Sequence, residues 1–289
     1  MSEVQTIWDG QATLAEGPVW DDAAGVLWFV DIKQQAIHRF DPRDGRLTSW
    51  EAPAQVGWVF PALGGALLAG LQTGLARFDP DAGKFESIAS VEPEVPTNRL
   101  NDAAVAKDGA VWFGSMDDDE TQASGHFYRW DGQQVERLAI EPAIVTNGPA
   151  ISPDQTKLYH VDTVGGTVYI SDLEGSAVVG STQVFAKIDP EDGHPDGCTV
   201  DSAGNLWLGL WGGGRARLYD PAGNILREVD LPVSNVTKVA LGGADMKTAY
   251  VTTARAGLSA AELERQPFAG ALFTFKVEVP GEATPLARV

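Results

Sequence analysis

The sequence predicts an all-β chain folded as a six-bladed β-propeller, in one domain spanning residues 1–289. Two observations predict this fold. The chain contains 32 glycines, 17 prolines and 9 tryptophans, a composition that favours short strands joined by many turns. A strand-and-turn unit also recurs six times, and its copies start about 42 to 49 residues apart.

Each unit contains four short apolar runs separated by turns. The first run leads to a turn of Asp, Gly, Ser or Pro, and the second has the form LWFVD (27–31) or LYHVD (158–162). The third ends at an aromatic residue, and a D-P-x-x-G type turn leads to the fourth. Four strands at this period are typical of propeller blades, with a β-sandwich or β-helix as the less favoured alternative. The copies start at Gly17, Val59, Asn101, Asn147, Asp196 and Lys238.

Two features fall outside the repeated pattern. The stretch LSAAELERQ (258–266) is helix-like and is predicted to be an insertion within the last unit. The ring of blades also needs one more strand, which either VQTIWD (4–9) or TPLARV (284–289) can supply.

The charge and cysteine content argue against several classes of protein. The net charge is −19, from 21 basic and 40 acidic residues, and there is no basic stripe, so nucleic acid and anionic membranes are not expected partners. No apolar run approaches the roughly 20 residues of a membrane span, and the N-terminus lacks the features of a signal peptide. Cys198 is the single cysteine and is expected to be a buried, inert thiol. We therefore expect a cytoplasmic monomer.

One register position in the units carries polar side chains. Counting five residues back from the first turn gives Glu16, Asn101, Asn147, Asp196 and Thr237, with Val59 or Phe60 in the degenerate second unit. The first strand of each blade lines the channel, so these side chains are expected to form a ring at one mouth. Their oxygens suit Ca²⁺, Mg²⁺ and Mn²⁺, and carboxylates also bind Zn²⁺ and Fe²⁺. Turn residues that bond their own backbone, or a channel that holds only water, are the alternatives.

The stretch HPDGCTVDSAGNLW (194–207) contains two aspartates with different predicted roles. Asp201 begins the turn sequence D-S-A-G and has turn-forming counterparts in other units, so it is expected to belong to the scaffold. Asp196 shares its register with the ring residues of the other units, so it is expected to face the channel.

Four motifs together carry a family resemblance over nearly the whole chain: AEGPVW (15–20), NRLNDAAV (98–105), TNGPAISPD (146–154) and HPDGCTVDSAGNLW (194–207). On these motifs the chain resembles the gluconolactonase / senescence-marker-protein (regucalcin-like) family, and it looks most like bacterial sugar lactonases of the xylono, glucono and arabinono type. The resemblance implies a six-bladed propeller with one divalent metal ion in its channel. The chain has NDAA where the family often has NDG, a change expected to affect packing only.

The resemblance also implies roles for individual residues. Glu16, Asn147 and Asp196 match the ligands of the metal ion, whose identity among Fe²⁺, Zn²⁺, Ca²⁺, Mn²⁺ and Mg²⁺ is left open. Arg99 and Asn101 match substrate-binding residues, and Asp196 is the expected general base as well as a ligand. The implied reaction is hydrolysis of an aldonolactone, of the xylonolactone or gluconolactone type, to the sugar acid.

Two other functions remain open for the same residues. One is a non-enzymatic calcium-binding propeller of the regucalcin type, and the other is a metal-dependent esterase or organophosphate hydrolase. The R-x-N-D motif at 99–102 favours an enzyme, because a protein that only binds calcium needs no substrate clamp.

Two acidic features are expected to support the site. Asp102, next to Asn101, should point away from the ring, because neighbours on a strand face opposite sides, and should position Arg99 or a loop. The run DDDE (117–120) is expected in a loop that is either solvated or a lid over the channel.

Four aromatic or imidazole side chains are also candidates. Trp58 and Phe60 are expected either to cover one face of a sugar or to pack in the core. His160 and His194 are expected at the rim of the channel or just behind the site.

Overall fold

The protein folds into six four-stranded antiparallel sheets, as shown by the computed structural model, which describes residues 3–289. This arrangement confirms the predicted six-bladed β-propeller. The first strand in the chain is β1 (Gln5–Trp8). Blade 1 contains β2 (Ala15–Asp21), β3 (Val26–Asp31), β4 (Ala36–Asp41) and β5 (Arg46–Glu51). Blade 2 contains β6 (Val56–Pro61), β7 (Leu67–Leu71), β8 (Gly74–Asp79) and β9 (Lys84–Ser90).

The next three blades follow the same chain order. Blade 3 contains β10 (Asn98–Val105), β11 (Val111–Asp117), β12 (Phe127–Trp130) and β13 (Val135–Arg137). Blade 4 contains β14 (Thr146–Ile151), β15 (Lys157–Asp162), β16 (Thr167–Glu174) and β17 (Ala177–Lys187). Blade 5 contains β18 (His194–Val200), β19 (Leu206–Trp211), β20 (Arg215–Tyr219) and β21 (Ile225–Asp230).

Blade 6 joins the two ends of the propeller. It contains β22 (Val236–Gly242), β23 (Thr248–Thr253) and β24 (Leu272–Lys276), and β1 is its outermost strand. Gln5 pairs with Thr274 across this junction. The N-terminal segment therefore supplies the last strand of the ring, and the sequence alone had left the choice between the termini open.

The C-terminal segment has a different role. It runs to blade 2, where Ala287 N donates to Pro61 O and Leu63 N donates to Ala287 O, both at 2.9 Å. On its way it covers a small cavity of about 150 Å³, lined by the inner strands of the blades and by residues 281–285. We call this space the tail cavity.

The helix-like stretch of the last unit forms α1 (Ala260–Arg265) between β23 and β24, as predicted. Ser259 caps it: its hydroxyl accepts a hydrogen bond from Glu262 N, and the Glu262 carboxylate accepts one from Ser259 N. No helix within residues 3–289 is long and apolar enough to cross a membrane.

Each innermost strand has one extra residue in its pairing register with the second strand of its blade. In blade 1, Glu16 pairs with Val30 and Val19 with Trp28, so three steps on β2 match two on β3. The same one-residue excess occurs in β6, β10, β14, β18 and β22. Such a β-bulge breaks the alternation of side chains and turns the bulged residue toward a new direction.

Glycine makes two of these bulges possible. Gly17 (φ +53°) follows Glu16, and Gly148 (φ +66°) follows Asn147. A positive φ is adopted by glycine at little cost, which explains why the E-G-P and N-G-P motifs stand at these places.

Aromatic contacts join every pair of neighbouring blades, with ring centroids 5.1–5.9 Å apart. Such pairs contribute about 0.5–1.5 kcal/mol each beyond the burial of their area. In order around the propeller they are Trp50–Phe78, Trp58–Phe113, Phe127–His160, Phe185–Tyr219, Trp207–Phe275 and Trp20–Tyr250.

Asp201 has the scaffold role that the sequence predicts. It is 1 % exposed, and its Oδ1 accepts hydrogen bonds from Ala203 N and Asn205 N, both at 2.9 Å. Its Oδ2 accepts a third from Asn205 Nδ2, also at 2.9 Å. The carboxylate therefore holds the turn between β18 and β19.

Replacing this carboxylate should destabilise the fold without altering the channel. Asp201→Ala leaves the buried amides of Asn205 without an acceptor, which we expect to cost about 1–3 kcal/mol in the free energy of unfolding. Urea unfolding measures the loss. Ser202→Ala, at the exposed neighbouring position, is the control and should change stability by no more than about 0.5 kcal/mol. Equal stabilities of the two variants would contradict the role of Asp201.

Candidate functional site

A cavity of about 390 Å³ lies at one end of the propeller, and we call it the site cavity. Four ring residues from four different blades line it: Glu16, Asn101, Asn147 and Asp196. Each is 2–6 % exposed. The structure therefore brings together these four predicted side chains, which the sequence spreads over 180 positions. Thr237 does not line the cavity, because its hydroxyl donates to Ala15 O (2.7 Å) and so ties blade 6 to blade 1.

The two carboxylates of the ring lack a cationic partner. Glu16 Oε2 accepts a hydrogen bond from Gly17 N (2.9 Å), and no Lys or Arg of residues 3–289 lies at ion-pair distance from Glu16 or Asp196. Burial, reinforced by the charge of Asp102, raises the pKa of Glu16 to about 8. Burial, reinforced by the charge of Glu16, also raises the pKa of Asp196 well above its ordinary value. The cavity floor is therefore an environment that favours a bound cation.

The Asn147 amide is fixed in one orientation. Its Nδ2 donates to Thr163 Oγ1 (2.9 Å), and its Oδ1 accepts from Asn101 Nδ2 (3.1 Å). Because an amide oxygen has two lone pairs, Oδ1 keeps one for a ligand in the cavity. Thr163, which also lines the cavity, is a positioning residue that the sequence did not indicate.

Arg99 extends the same network. Its Nη1 donates to Asn101 Oδ1 (2.6 Å) and Leu100 O (3.3 Å), and its Nε donates to Asp118 Oδ1 (2.7 Å). Arg99 is 3 % exposed yet lines the site cavity. Burial lowers the pKa of Arg99, and the charge and hydrogen bond of Asp118 oppose this effect.

Asp102 has a different partner from the predicted one. Its Oδ1 accepts from Lys238 Nζ (2.6 Å) and Ala103 N (2.8 Å), while Arg99 Nε donates to Asp118 and not to Asp102. The expected alternation fails because the bulge of β10 lies between Leu100 and Ala103. Both members of the ion pair are buried, and the second oxygen, Asp102 Oδ2, has no hydrogen-bond partner in the described part of the chain.

Blade 2 contributes no residue of its first strand to the site cavity. Its bulge lies between Val56 and Trp58, so its extra residue is Gly57, and neither Val59 nor Phe60 lines the site cavity as predicted. A Cβ at Gly57 would lie 2.5 Å from Asn101 O, so only glycine allows this close approach of the strands. The turn of blade 2 is too degenerate in sequence to fix the register.

Trp58 and Phe60 do not face the site cavity. Trp58 is fully buried and packs against Phe113, with ring centroids 5.8 Å apart. Phe60 lines the tail cavity at the opposite end. The core-packing alternative is therefore confirmed for Trp58, and neither residue can cover a sugar in the site cavity.

The two histidines differ in position. His194 is exposed at the rim of the site cavity, as expected. The prediction that His160 lies at the rim is wrong, because His160 is 3 % exposed and packs between Phe127 and Tyr169. Burial lowers the pKa of His160 to about 4. Its place on β15 turns it into the interface of blades 3 and 4.

The acidic loop after β11 lies beside the cavity. Asp117 accepts hydrogen bonds from Thr121 N and Gln122 N, both at 2.9 Å, and so shapes the loop. Asp118 reaches Arg99, and Glu120 lines the site cavity. Asp117 and Asp118 are therefore held by hydrogen bonds beside the cavity, whereas Asp119 and Glu120 are exposed to solvent.

The donor set fits a hard divalent cation. Glu16 and Asp196 offer carboxylate oxygens, and Asn147 offers an oriented amide oxygen. Within residues 3–289 no group of three or more His, Cys, Asp and Glu side chains is arranged to hold a metal ion. The candidate set contains only two such side chains, Glu16 and Asp196, because its third member is the amide of Asn147. The observation that points to a cation is that both carboxylates are buried and have no ion-pair partner within residues 3–289.

The family follows from a match along most of the chain. A model of the SMP-30/Gluconolactonase/LRE-like region matches residues 14–255, which include every residue of the site cavity named above. The chain belongs to this family.

Several relatives support membership in the SMP-30/gluconolactonase family. The chain is 37 % identical over 280 residues to an L-arabinolactonase of Azospirillum brasilense, covering 96 % of this chain and 92 % of that protein. It is 33 % identical over 276 residues to a 6-deoxy-6-sulfogluconolactonase of Pseudomonas putida, covering 95 % of each. Among solved structures, it resembles a calcium-binding protein, regucalcin, from Agrobacterium tumefaciens, with a TM-score of 0.96, 28 % identity and coverage of 100 % of this chain and 98 % of that one.

Protonation of Glu16 should make the stability of the metal-free protein depend on pH. The folded protein holds a proton on Glu16 up to about pH 8, whereas the unfolded chain releases it near 4.5, so this group's contribution to stability falls as pH rises through that window. Glu16→Gln cannot ionise, so its melting temperature relative to wild type should be higher at pH 8 than at pH 5. Thermal unfolding in chelator measures this. Glu51→Gln, on the exposed outer strand of blade 1, is the control, and an equal difference at both pH values would contradict the raised pKa.

The Asp102–Lys238 pair should matter to stability because both charges are buried. Burial alone would lower the pKa of Lys238, but the charge and hydrogen bond of Asp102 outweigh it and raise that pKa. Lys238→Met keeps the side-chain length and leaves Asp102 unpaired, which we expect to cost about 3–5 kcal/mol. Urea unfolding is the measurement, with Lys247→Met at an exposed site as the control. Similar losses for the two variants would show that the pair is unimportant.

Proposed function

We propose that this protein is a metal-dependent sugar lactonase, which hydrolyses an aldonolactone of the xylono, glucono or arabinono type to the open sugar acid. The main support for the proposal is the set of side chains that line the site cavity. Two buried carboxylates and an oriented amide oxygen lie on its floor, beside a buried arginine held in a fixed network. The names of the arabinolactonase and sulfogluconolactonase relatives support the same class of reaction.

The cation site would be formed by Glu16, Asn147 and Asp196. A divalent ion bound there supplies Lewis-acid polarisation of the lactone carbonyl and lowers the pKa of a coordinated water. Thr163 supports the cation site indirectly: it accepts the hydrogen bond of Asn147 Nδ2, so that Asn147 Oδ1 is the atom available to a cation.

Asp196 is the proposed general base. Its carboxylate lines the cavity and has no ion-pair partner within residues 3–289, so it is free to accept a proton from water. It takes a proton from the attacking water, a new C–O bond forms at the carbonyl carbon, and the ring C–O bond breaks. The proton then passes to the leaving ring oxygen, which becomes the hydroxyl group of the sugar acid.

Arg99 and Asn101 are the proposed substrate-binding residues, with different capacities. Arg99 Nη2 makes no hydrogen bond to protein within residues 3–289, so it can donate to the lactone oxygen on which negative charge develops. Both N–H groups of Asn101 are already used, by Thr146 O and Asn147 Oδ1. Asn101 can therefore only accept a hydrogen bond from a substrate hydroxyl.

A calcium-binding propeller without turnover is the second candidate. Its support is the near-complete structural match to the calcium-binding regucalcin of Agrobacterium tumefaciens. The ordered network around Arg99 favours the lactonase, because binding of an ion alone gives no role to a buried guanidinium with two free N–H groups.

Acid release from lactones tests the function. Purified protein is incubated with xylono-, arabinono- and gluconolactones in each of the five candidate ions, and with chelator, in a pH-stat. We expect a metal-dependent rate above spontaneous hydrolysis that chelator abolishes. Asp196→Ala should lower kcat by about 10²–10⁴-fold, the usual range for loss of a general base.

Asp201→Ala is the matched control, since it removes an aspartate from the same segment and should keep its turnover. Retained activity in Asp196→Ala would refute the role of Asp196. If the protein binds calcium tightly but shows no rate above spontaneous hydrolysis in any ion, the lactonase proposal is wrong and the calcium-binding propeller is favoured.

A further inference from the structure

We propose that Asp118 is a positioning residue of the site, which fixes the Arg99 guanidinium so that its Nη2 is presented to the substrate. This inference rests on the proposed lactonase function. Neither the repeat nor the family motifs indicate Asp118, because it lies in the loop after β11 and outside the ring register.

Asp118 connects three blades through one carboxylate. Its Oδ1 accepts from Lys33 Nζ (2.6 Å) of blade 1 and from Arg99 Nε (2.7 Å) of blade 3. Its Oδ2 accepts from Gln55 Nε2 (2.7 Å), just before the first strand of blade 2. The loop is thereby anchored across the mouth of the site cavity, which Lys33 also lines.

The hydrogen bonds of Arg99 show what this anchor does. A guanidinium has five N–H groups: one on Nε and two on each Nη. Asp118 takes the one on Nε, and Leu100 O and Asn101 Oδ1 take the two on Nη1. The two N–H groups of Nη2 are left for a ligand. Without Asp118, Nε would be a buried donor without an acceptor, and the planar group would be held at one side only.

Charge supports the same role. Burial alone would raise the pKa of Asp118, but hydrogen bonds from Lys33 and Gln55 and the charges of Arg99 and Lys33 outweigh it and lower the pKa. One anion therefore separates two cations at the cavity mouth. Loss of both this charge and its hydrogen bonds would leave Lys33 and Arg99 to repel each other with no acceptor between them, and would displace the guanidinium from its place beside Asn101.

A nearly isosteric variant is available because of Gln55. Its Oε1 is buried and has no hydrogen-bond partner in the described part of the chain. In Asp118→Asn the asparagine Oδ1 can still accept from Arg99 Nε, and a flip of the Gln55 amide lets Oε1 accept from the new Nδ2. Asp118→Asn thus keeps the anchor without its charge, whereas Asp118→Ala removes both.

A double-mutant cycle tests the proposal through kcat and KM for the lactone that wild type hydrolyses. We expect Asp118→Ala and Arg99→Ala each to lower kcat/KM by about 10–100-fold, the scale of a misplaced binding group. The double variant should be no worse than Arg99→Ala alone, since Asp118 acts through Arg99. Asp118→Asn should recover activity to within about tenfold of wild type.

Asp108→Ala is the matched control. It removes another partly buried Asp–Arg pair of blade 3, with Arg129, from the turn between β10 and β11, and should leave kcat/KM unchanged. Calorimetry should show wild-type metal affinity in Asp118→Ala, since Asp118 is not among the proposed ligands.

The outcomes separate the two proposals. If Asp118→Ala has the kcat/KM of wild type, the positioning role is wrong. It is also wrong if the effects of Asp118→Ala and Arg99→Ala multiply in the double variant. In both cases the lactonase function stands. A wild type without turnover in any ion would overturn the lactonase function, and the role of Asp118 would fall with it.

Discussion

The six innermost strands converge on the axis of the propeller, and each has one extra residue in its pairing register with its neighbour in the sheet. That bulge turns the ring side chains into the cavity and places a positive-φ glycine after Glu16 and Asn147. It also brings Asn101 and Asp102, which a regular strand would send to opposite faces, into the interior together. The candidate site thus results from a repeated departure from regular strand geometry.

A charge imbalance follows from this convergence. Around the channel the carboxylates of Glu16, Asp102 and Asp196 are buried, and of the two buried cations there Lys238 pairs with Asp102 and Arg99 with Asp118. Glu16 and Asp196 have no such partner within residues 3–289, and their pKa values are raised by burial and by the charge of a neighbouring carboxylate. A divalent cation would balance them, so the electrostatics of the folded chain support the proposed cation site.

Periodicity explains why much of the architecture could be predicted. A four-strand unit at a regular spacing specifies blades, and counting from the turns located Glu16, Asn101, Asn147 and Asp196 in one register that the structure brings to one cavity. The count failed in blade 2, where the extra residue is Gly57 and neither Val59 nor Phe60 lines the site cavity, because that turn lacks a recognisable start. It could not assign partners either, since hydrogen-bonding partners such as Asp102 and Lys238 are 136 positions apart.

The sequence by itself determined the number of blades, the four polar residues of the ring and the turn role of Asp201, because these depend on local patterns that repeat. Only the tertiary structure decided that β1 closes the ring, that Thr163 orients Asn147, and that Asp118 and not Asp102 holds Arg99. The physical reason is that each contact joins two segments that the repeated strand pattern does not relate: the two ends of the chain, or a first strand and the loop after the second strand of its own blade. Such a contact depends on where the folded chain places the loop or the terminus, and a strand's own sequence does not specify that.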